Sequence, residues 1–198
     1  MTQYRISAIL FVLFIGLVAG RAIMLKRKGI KAIVFGTTDK SDFLLVPFVL
    51  VIIYAIFSRV IDVPMWRPLV ATFWDTRIAG VAGIAFCAIA VIGIAAALVS
   101  FGTSFRVGID DQKPDKLVTT GMFRYSRNPI YVCFDTFFFG QFLIHRNVVI
   151  TVAVIGFALI IHRQILREEK FLKDHYGNEY DEYCNKVRRY IGVSHPAL

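Results

Sequence analysis

The longest uncharged apolar stretch of the chain, Ile78–Phe101, constrains its fold more than any other feature. It has 24 residues without a charged side chain, and a helix needs about 20 apolar residues to cross the hydrocarbon core of a bilayer. The composition of the 198-residue chain agrees, because 57% of its residues are hydrophobic and only 19% are charged. Soluble domains are typically about 45–50% apolar and about 25% charged. The sequence therefore predicts an integral membrane protein and excludes a soluble or disordered chain.

Four further apolar stretches are candidates for membrane helices: Tyr4–Leu25, Phe43–Ile61, Ile130–Ile144 and Val148–Ile161. The last two are each shorter than a full span, and only residues 145–147 separate them. So short a connection favours an antiparallel helical hairpin, which either crosses the bilayer with polar ends or enters it only in part. The sequence thus predicts an all-α integral membrane protein with five transmembrane helical segments, the last two forming a tight hairpin.

Small side chains recur along the clearest span. Ala79, Gly83 and Cys87 lie four residues apart, so they share one face of a helix. Small residues at this spacing let membrane helices approach closely, although a span rich in Ala and Gly shows the spacing by composition alone. We expect this face to pack against another helix.

The distribution of positive charge predicts the orientation in the membrane. The loops after the first and third spans and the tail after the hairpin, counted with Arg21 near the end of the first span, hold 18 of the 23 Lys and Arg residues. Positive charge marks cytoplasmic loops, so the N-terminus is predicted to be extracytoplasmic and the tail cytoplasmic. This asymmetry explains the net charge of +9, and no nucleic-acid partner is expected.

Segments 102–129 and 162–198 fall on the same predicted side, at the two ends of the hairpin. We therefore expect one membrane domain in which a three-span scaffold, residues 1–101, supports a catalytic half, residues 102–198, with short amphipathic cytoplasmic helices. The three cysteines lack the spacing of a zinc site or of a disulfide framework. No metal is expected.

The start of the hairpin carries polar residues at helical spacing. Asn128-Pro129 is a helix-start signal, in which Asn caps the helix and Pro takes its first position. Tyr131 and Asp135 then lie one turn apart on the same face, with Arg127 just before them. Because an acid inside an apolar span is costly, Asp135 is either a buried hydrogen-bonding group or part of a site.

The segment upstream of the hairpin, Leu117-Val118-Thr119-Thr120-Gly121, contains a glycine turn. Such a turn leaves backbone groups available to a ligand, although turns contain Gly in any case. The segment lacks the glycine spacing of dinucleotide and phosphate loops, so no soluble type of nucleotide-binding fold is predicted.

Charged residues follow the hairpin directly. On a continuing helix, Arg163 and Arg167 share one face, and Glu168 and Glu169 turn away from it. Lipid phosphates at the membrane surface are an alternative set of partners for these arginines.

The tail that follows predicts two amphipathic helices. Gly177 is a natural helix stop, and Asn178 is the expected cap of the second helix. This second helix either lies on anionic lipid at the membrane surface or covers the hairpin, and the two arrangements are compatible.

The order and spacing of these pieces resemble the isoprenylcysteine carboxyl methyltransferase family, within a wider group that includes the phospholipid N-methyltransferases. The matching pieces are LVTTG, RNPIY five residues later, an apolar hairpin, and then EExxL, YG and EYxxY. They lie within residues 102–192, and their combined order is more specific than any single piece.

The resemblance implies an integral membrane enzyme that binds S-adenosylmethionine between the loop before the hairpin, the hairpin and the C-terminal helices. The residues that it implies for the cofactor are Leu117, Val118, Gly121, Phe123, Asn128, Pro129, Ile130 and Tyr131, with Glu168 or Glu169 for the methionine ammonium. It also implies that an arginine at the end of the last span holds a substrate carboxylate. The candidates are Arg163 first, and then Arg167, Arg127 and His162.

Two residues depart from the family pattern. Asn128 stands where the family has His, and it can still form hydrogen bonds but cannot titrate near neutrality. Phe123 stands where Tyr is usual and lacks the hydroxyl group. Contact with the cofactor tolerates both changes more easily than proton transfer through residue 128 would.

A carboxylate substrate fits the chemistry that the resemblance implies. A carboxyl group of ordinary pKa is ionised at pH 7, so no general base is needed. A desolvated site favours a transfer in which a sulfonium cation and a carboxylate anion both lose their charge. We expect O-methylation of a lipophilic small molecule or lipidated, isoprenylcysteine-like substrate that arrives through membrane lipid. The sequence does not specify an oligomeric state.

Three other functions stay open on the sequence. A phospholipid amine would need a base, for which Asp135 or Glu169 is the candidate. Membrane sterol reductases share a related C-terminal half but use NADPH, and this chain has no added basic cluster for a 2′-phosphate. A non-enzymatic binding or transport protein is the third, although the sequence has no inverted repeat or pair of broken helices.

Overall fold

The structure, a computed structural model, describes residues 2–29, 45–61, 64, 67, 71–74, 76–102 and 117–194. Its helices are α1 (Thr2–Arg27), α2 (Leu45–Ser58), α3 (Arg77–Phe101), α4 (Pro129–His145), α5 (Val148–Tyr176) and α6 (Asn178–Lys186), with a 3₁₀ turn at Gly121–Arg124. Outside the helices, these ranges contain one isolated bridge, between Val187 and Val193, and no longer β-strand. The predicted all-α class is therefore confirmed for the described residues.

Three helices, α1, α3 and α5, are each long and apolar enough to cross a membrane, and α2 is a shorter apolar helix. Each has a buried side and an opposite side of exposed aliphatic residues. On α3, for example, Ile78 and Val99 are 82% and 80% exposed. Exposed apolar surface of this extent suits contact with lipid rather than with water. The count of five crossings stays a prediction.

Helix α5 continues well past Ile161, the predicted end of the last apolar segment. Residues 162–176 include neither Pro nor Gly, so nothing in them interrupts a helix. The helix ends at Gly177, which has a positive φ of 54°, as the sequence predicted. Gly177 is also the N-cap of α6. The predicted cap at Asn178 is therefore wrong by one residue, because the two helices share Gly177 as their junction.

Aromatic rings fill the centre of the helical bundle. Phe14 of α1 and Phe137 of α4 are both fully buried, and their stacked rings lie 4.6 Å apart. The ring of Phe134 meets Phe14 edge-on at 4.9 Å. Aromatic pairs in such geometries add to the energy of burial alone, so these rings fix how α1 sits against α4.

The backbones of α3 and α4 approach each other closely at two glycines. A Cβ atom added to Gly83 would lie 2.7 Å from the carbonyl oxygen of Gly140. A Cβ added to Gly140 would lie 2.7 Å from the oxygen of Gly83 and 2.6 Å from Sγ of Cys87. The predicted close packing is therefore confirmed at Gly83 and Cys87, since no side chain fits between the two backbones.

One polar connection crosses this apolar region. Ser7 of α1 donates its hydroxyl to Oε1 of Gln141 on α4 at 2.8 Å. The amide of Gln141 then reaches Sγ of Cys87 on α3 at 3.4 Å. Polar side chains in apolar surroundings need such partners, so this connection links three helices in one register.

The connection between α4 and α5 has two residues, because His145 belongs to the end of α4. Arg146 takes a left-handed conformation with φ of 49°, and the side chain of Asn147 accepts a hydrogen bond from the first turn of α5. So short a connection returns α5 alongside α4, where the rings of Phe138 and Phe157 lie 4.3 Å apart. The start of α4 and the C-terminal half of α5 consequently meet at one end of the pair.

Candidate functional site

Glu169, on α5, is the centre of a buried hydrogen-bond cluster. Its side chain is 10% exposed. Arg127 donates Nε to Oε1 and Nη2 to Oε2, each at 3.2 Å. Arg189 donates Nε to Oε2 at 2.9 Å, and Asn128 donates Nδ2 to Oε1 at 3.0 Å. A carboxylate accepts about four hydrogen bonds, so these four hydrogen bonds use the full accepting capacity of the Glu169 side chain. We refer to these four residues as the Glu169 cluster.

The start of α4 places two members of this cluster. Pro129 takes the first helical position and Asn128 the N-cap position, as the sequence predicted. The side chain of Asn128, however, makes no capping hydrogen bond, and its Nδ2 donates to Glu169 and to the carbonyl oxygen of Arg189. The prediction that Asn128 caps the helix with its side chain is therefore wrong. A hydrogen bond to an ionised acceptor is roughly twice as strong as a neutral one, which favours the observed arrangement.

The neighbouring carboxylate, Glu168, has a different environment. Its Oε1 accepts a hydrogen bond from the hydroxyl of Tyr131 at 2.5 Å and another from Nε2 of Gln164 at 2.8 Å. The amide oxygen of Gln164 in turn accepts a hydrogen bond from Arg167. Gln164 therefore bridges Arg167 and Glu168, which lie three and four positions further along the helix.

A C-terminal strap, residues 187–194, closes over the start of α4. The backbone N–H of Arg127 donates to the carbonyl oxygen of Arg188 at 3.1 Å, and that of Gly192 donates to Tyr125 at 2.8 Å. The guanidinium Nη1 of Arg127 also donates to the carbonyl oxygens of Cys184 and Val187. Arg127 thus joins the strap, α6 and Glu169 through one side chain.

The segment before α4 is held by a second, smaller hydrophobic cluster. Phe123 is 5% exposed, its ring meets that of Phe101 edge-on at 4.7 Å, and its carbonyl oxygen accepts the hydroxyl of Tyr183 at 2.7 Å. Burial raises the pKa of the Tyr183 hydroxyl, so this group stays a neutral donor. Leu117 and Val118 pack against the same cluster.

Gly121 has a positive φ of 62° and lies directly against Ser100, where an added Cβ would be 2.7 Å from the serine Cβ. The hydroxyl of Ser100 accepts the backbone N–H of Met122 at 3.0 Å. Gly121 therefore lets the loop approach the end of α3, a packing role that is compatible with the predicted contact to a cofactor.

The predicted substrate arginines lie in three different places. Arg127 is largely buried in the Glu169 cluster, Arg167 is bonded to Gln164, and Arg163 lies on an exposed face of α5. His162, the fourth candidate, is exposed and shares a hydrogen bond between its Nδ1 and the hydroxyl of Tyr190. Which of them meets a substrate stays a prediction.

Sequence reasoning missed two residues of the site, Gln164 and Arg189. Gln164 lies four residues before Glu168, a spacing that indicates contact on a helix and that could have revealed it. Arg189 lies 20 residues beyond its partner Glu169 and past the end of α6. No local pattern predicts that pairing.

The segment that contains α3, α4 and α5 also matches known proteins. Residues 76–179 match the family model for phospholipid methyltransferases. Because this match covers more than half of the 198 residues, the chain belongs to the phospholipid methyltransferase family.

Similar proteins include several named for one reaction. A probable protein-S-isoprenylcysteine O-methyltransferase from rice (Oryza sativa subsp. indica) is 37% identical over 99 residues, which cover 46% of this chain and 49% of the rice protein. Protein-S-isoprenylcysteine O-methyltransferase B of Arabidopsis thaliana is 31% identical over 97 residues, which cover 46% of this chain and 48% of the Arabidopsis protein.

The protein-S-isoprenylcysteine O-methyltransferase of Schizosaccharomyces pombe is 33% identical over 97 residues, which cover 46% of this chain and 40% of the yeast protein. The chain spans about half the length of these curated relatives. The resemblance stated from the motifs is confirmed.

Proposed function

We propose that this chain is an integral membrane methyltransferase that transfers a methyl group from S-adenosylmethionine to a lipophilic substrate. The observation that carries the proposal is the pair of adjacent carboxylates, Glu168 and Glu169, held against the start of α4 by Arg127, Asn128 and Tyr131. These residues lie within the stretch that matches the phospholipid methyltransferase family.

The charges of the site fit the amino-acid part of S-adenosylmethionine, which carries an ammonium and a carboxylate. Glu169 already accepts four hydrogen bonds from its neighbours, so we assign the ammonium to Glu168 and a supporting role to Glu169. When bound, the cofactor supplies a methyl group on a sulfonium centre. The remaining residues proposed to contact it are Leu117, Val118, Gly121, Phe123, Asn128, Pro129, Ile130 and Tyr131.

The first candidate acceptor is the carboxylate of an isoprenylcysteine-like substrate, because the similar proteins are named for it. An ionised carboxylate needs no base, so the protein's contribution is to position it and to exclude water. Arg127 is committed to Glu169 and to the strap. We therefore assign the substrate carboxylate to Arg163 or Arg167.

The proposed membrane arrangement follows the charge asymmetry of the sequence. The site lies on the cytoplasmic side, the N-terminus is extracytoplasmic, and α4 and α5 form the hairpin that ends five crossings. A lipophilic tail would enter from the bilayer between the helices while the head group reaches the polar end of α4 and α5.

A lipid amine is the second candidate acceptor. The description of the family, phospholipid methyltransferase, supports it together with Asp135, an acidic side chain on α4 that lies one turn beyond Tyr131. An ammonium has no lone pair, so such a substrate requires a proton acceptor before the methyl group can be transferred.

Calorimetry of the purified full chain with S-adenosylhomocysteine tests the cofactor site. We expect saturable binding, and we expect Glu168→Gln to weaken it by about 30-fold, since a hydrogen-bonded charged contact contributes about 2 kcal/mol. Glu179→Gln, which changes an exposed acid on α6, is the matched control and should bind as the parent does. An absence of binding at millimolar ligand would refute the proposed function.

A further inference from the structure

Gln164 is a buried amide side chain on α5 that the proposed reaction does not use. It is 8% exposed, and a buried amide needs hydrogen-bond partners. Its Nε2 donates to Oε1 of Glu168 at 2.8 Å, and its Oε1 accepts a hydrogen bond from Nη2 of Arg167. Gln164 therefore joins a negatively charged residue to a positively charged one.

The chemistry of these two neighbours fixes which way the amide of Gln164 points. A guanidinium group only donates hydrogen bonds, and an ionised carboxylate only accepts them. If the amide were turned over, its NH₂ group would face the guanidinium and its oxygen would face the carboxylate, and both hydrogen bonds would be lost. The amide dipole is therefore aligned between the two charges, with its oxygen toward Arg167 and its NH₂ group toward Glu168.

Helical spacing allows Gln164 to reach both residues. Arg167 and Glu168 are adjacent in the sequence, and adjacent side chains of a helix point about 100° apart. Gln164 lies three and four residues before them, the two spacings at which side chains on one helix meet. Glu168 also accepts the hydroxyl of Tyr131 on α4 at 2.5 Å. A continuous series of hydrogen bonds thus runs from Arg167 through Gln164 and Glu168 to the start of α4.

We propose that Gln164 is a positioning residue that couples the proposed cofactor site at Glu168 to a substrate-carboxylate site at Arg167. The proposal rests on the proposed function, which assigns the cofactor ammonium to Glu168. It selects Arg167 over Arg163 for the carboxylate, because Arg167 is the arginine that the amide of Gln164 holds.

The coupling follows from charge. Before the cofactor binds, the negative charge of Glu168 acts on Arg167 through the aligned amide and partly neutralises it. The ammonium of the cofactor neutralises Glu168, which leaves the positive charge of Arg167 for the substrate carboxylate. Gln164 also holds the guanidinium in place, so less side-chain entropy is lost when the carboxylate binds. Each ligand should therefore raise the affinity for the other by the same factor, because coupling free energies are reciprocal.

Calorimetry of the full chain in detergent measures this factor. S-adenosylhomocysteine, which carries the same ammonium as the cofactor, is titrated alone and then with saturating N-acetyl-S-farnesylcysteine, the carboxylate probe. We expect the Kd of S-adenosylhomocysteine to fall about tenfold in the second titration, within the usual range for coupled sites. In Gln164→Leu, which has a side chain of similar size but no amide, the two Kd values should agree within about twofold.

Two further variants separate the coupling from the filling of space. Gln164→Glu still accepts a hydrogen bond from Arg167, but an ionised carboxylate cannot donate one to Glu168, so the coupling should be lost here as well. Gln141→Leu is the matched control. It removes another buried amide, on α4 and bonded to Ser7 and Cys87, and it should keep the parent's factor.

Steady-state methylation of the carboxylate probe gives a second measurement. Gln164 touches neither the methyl group nor the acceptor in this arrangement, so Gln164→Leu should leave kcat within about twofold of the parent's value. The KM for the carboxylate probe should rise about fivefold, because Arg167 must then be ordered during binding. A structural defect would instead lower kcat together with the calorimetric stoichiometry.

Four results would overturn the inference. The parent binds the two ligands independently or antagonistically, or it binds S-adenosylhomocysteine but not the carboxylate probe. Either Gln164 variant keeps the parent's factor, or Gln141→Leu loses the factor as Gln164→Leu does. Loss of S-adenosylhomocysteine binding by Gln164→Leu would also overturn it, since Gln164 would then support the fold of the cofactor site. Absence of S-adenosylhomocysteine binding in the parent would instead refute the proposed function itself.

Discussion

The apolar core and the Glu169 cluster are both buried, but different forces hold them. In the core, Phe14 and Phe137 are fully enclosed by other hydrophobic side chains, and Gly83 and Gly140 let two backbones meet. In the Glu169 cluster, one carboxylate accepts hydrogen bonds from two arginines and one asparagine. The core therefore depends on shape, and the cluster depends on charge.

This difference predicts which substitutions each region tolerates. Lipid tails are as apolar as the core side chains, so helices in a membrane associate through close packing and hydrogen bonds rather than through exclusion of water. A change of volume should disrupt the core, whereas a change of charge at constant volume should disrupt the cluster.

Removing the central carboxylate should have the largest effect. Glu169→Ala leaves Arg127 and Arg189 without their anion in a site where the side chain of Arg127 is 12% exposed, and loss of one partner of a buried ion pair costs about 3–5 kcal/mol. Thermal unfolding in detergent measures it. Glu182→Ala, an exposed acid on α6, is the control. A melting temperature for Glu169→Ala equal to the control's would show that the cluster is not stabilising.

Placing a large side chain at the close contact between α3 and α4 should have the next largest effect. Gly140→Leu places Cβ against the oxygen of Gly83 and Sγ of Cys87, at 2.7 and 2.6 Å before any shift, so α3 and α4 must separate at a cost of about 3 kcal/mol. Gly16→Leu on α1 has no atom within 4 Å of its added Cβ and should be tolerated. Equal melting temperatures for the two variants would contradict the close packing.

The polar connection in the core should contribute less. The hydrogen bond from Ser7 to Gln141 is worth about 0.6 kcal/mol by the average for membrane helices. Ser7→Ala, Gln141→Leu and the double variant form a thermodynamic cycle that isolates it. A coupling energy near zero would mean that packing alone sets the register of α1 against α4.

The smallest expected effect is a difference in alkylation rate between the cysteines of the apolar core and the cysteine of α6, which lies near the Glu169 cluster. Cys87 and Cys133 are buried in the core, and Cys184 is partly exposed on α6. Burial raises the pKa of the Cys184 thiol, while Arg127 lowers it by a smaller amount. At pH 8 less thiolate is therefore present than in the unfolded chain, and alkylation by iodoacetamide should be a few-fold slower. Mass spectrometry should find label at Cys184 before Cys87 or Cys133, and label at Cys87 first would reverse the assignment of burial.

Short sequence patterns predicted the helices well where a single property decides where a helix runs or ends, such as an uncharged apolar run or a glycine. The uncharged run Ile78–Phe101 became α3 almost unchanged, and Gly177 ends α5. Helix α5 runs past the predicted apolar segment Val148–Ile161 because residues 162–176, although more polar, contain no Pro or Gly. The change from apolar to polar residues after Ile161 indicates where the apolar segment ends, but helix α5 ends only at Tyr176, before Gly177.

The residues of the candidate site were predicted better than their partners. Arg127, Asn128, Tyr131, Glu168 and Glu169 were all named from the motif, and the structure brings them together. Their pairing was not predicted, because the partners are separated by 37 to 42 residues of chain. Asn128 illustrates this limit of local patterns. Its position before Pro129 indicated a helix cap, but its side chain donates a hydrogen bond to Glu169, 41 residues further along the chain.

The sequence by itself determined the class of the molecule, because apolar length, charge asymmetry and helix-breaking residues act over a few turns of chain. Only the tertiary structure decided that Glu169 is enclosed by Arg127 and Arg189, and that Tyr190 of the strap meets His162 of α5. Those contacts depend on the two-residue connection that returns α5 along α4 and on the strap that folds back over both helices. The candidate site is built from side chains that are distant in the chain, and folding alone brings them together.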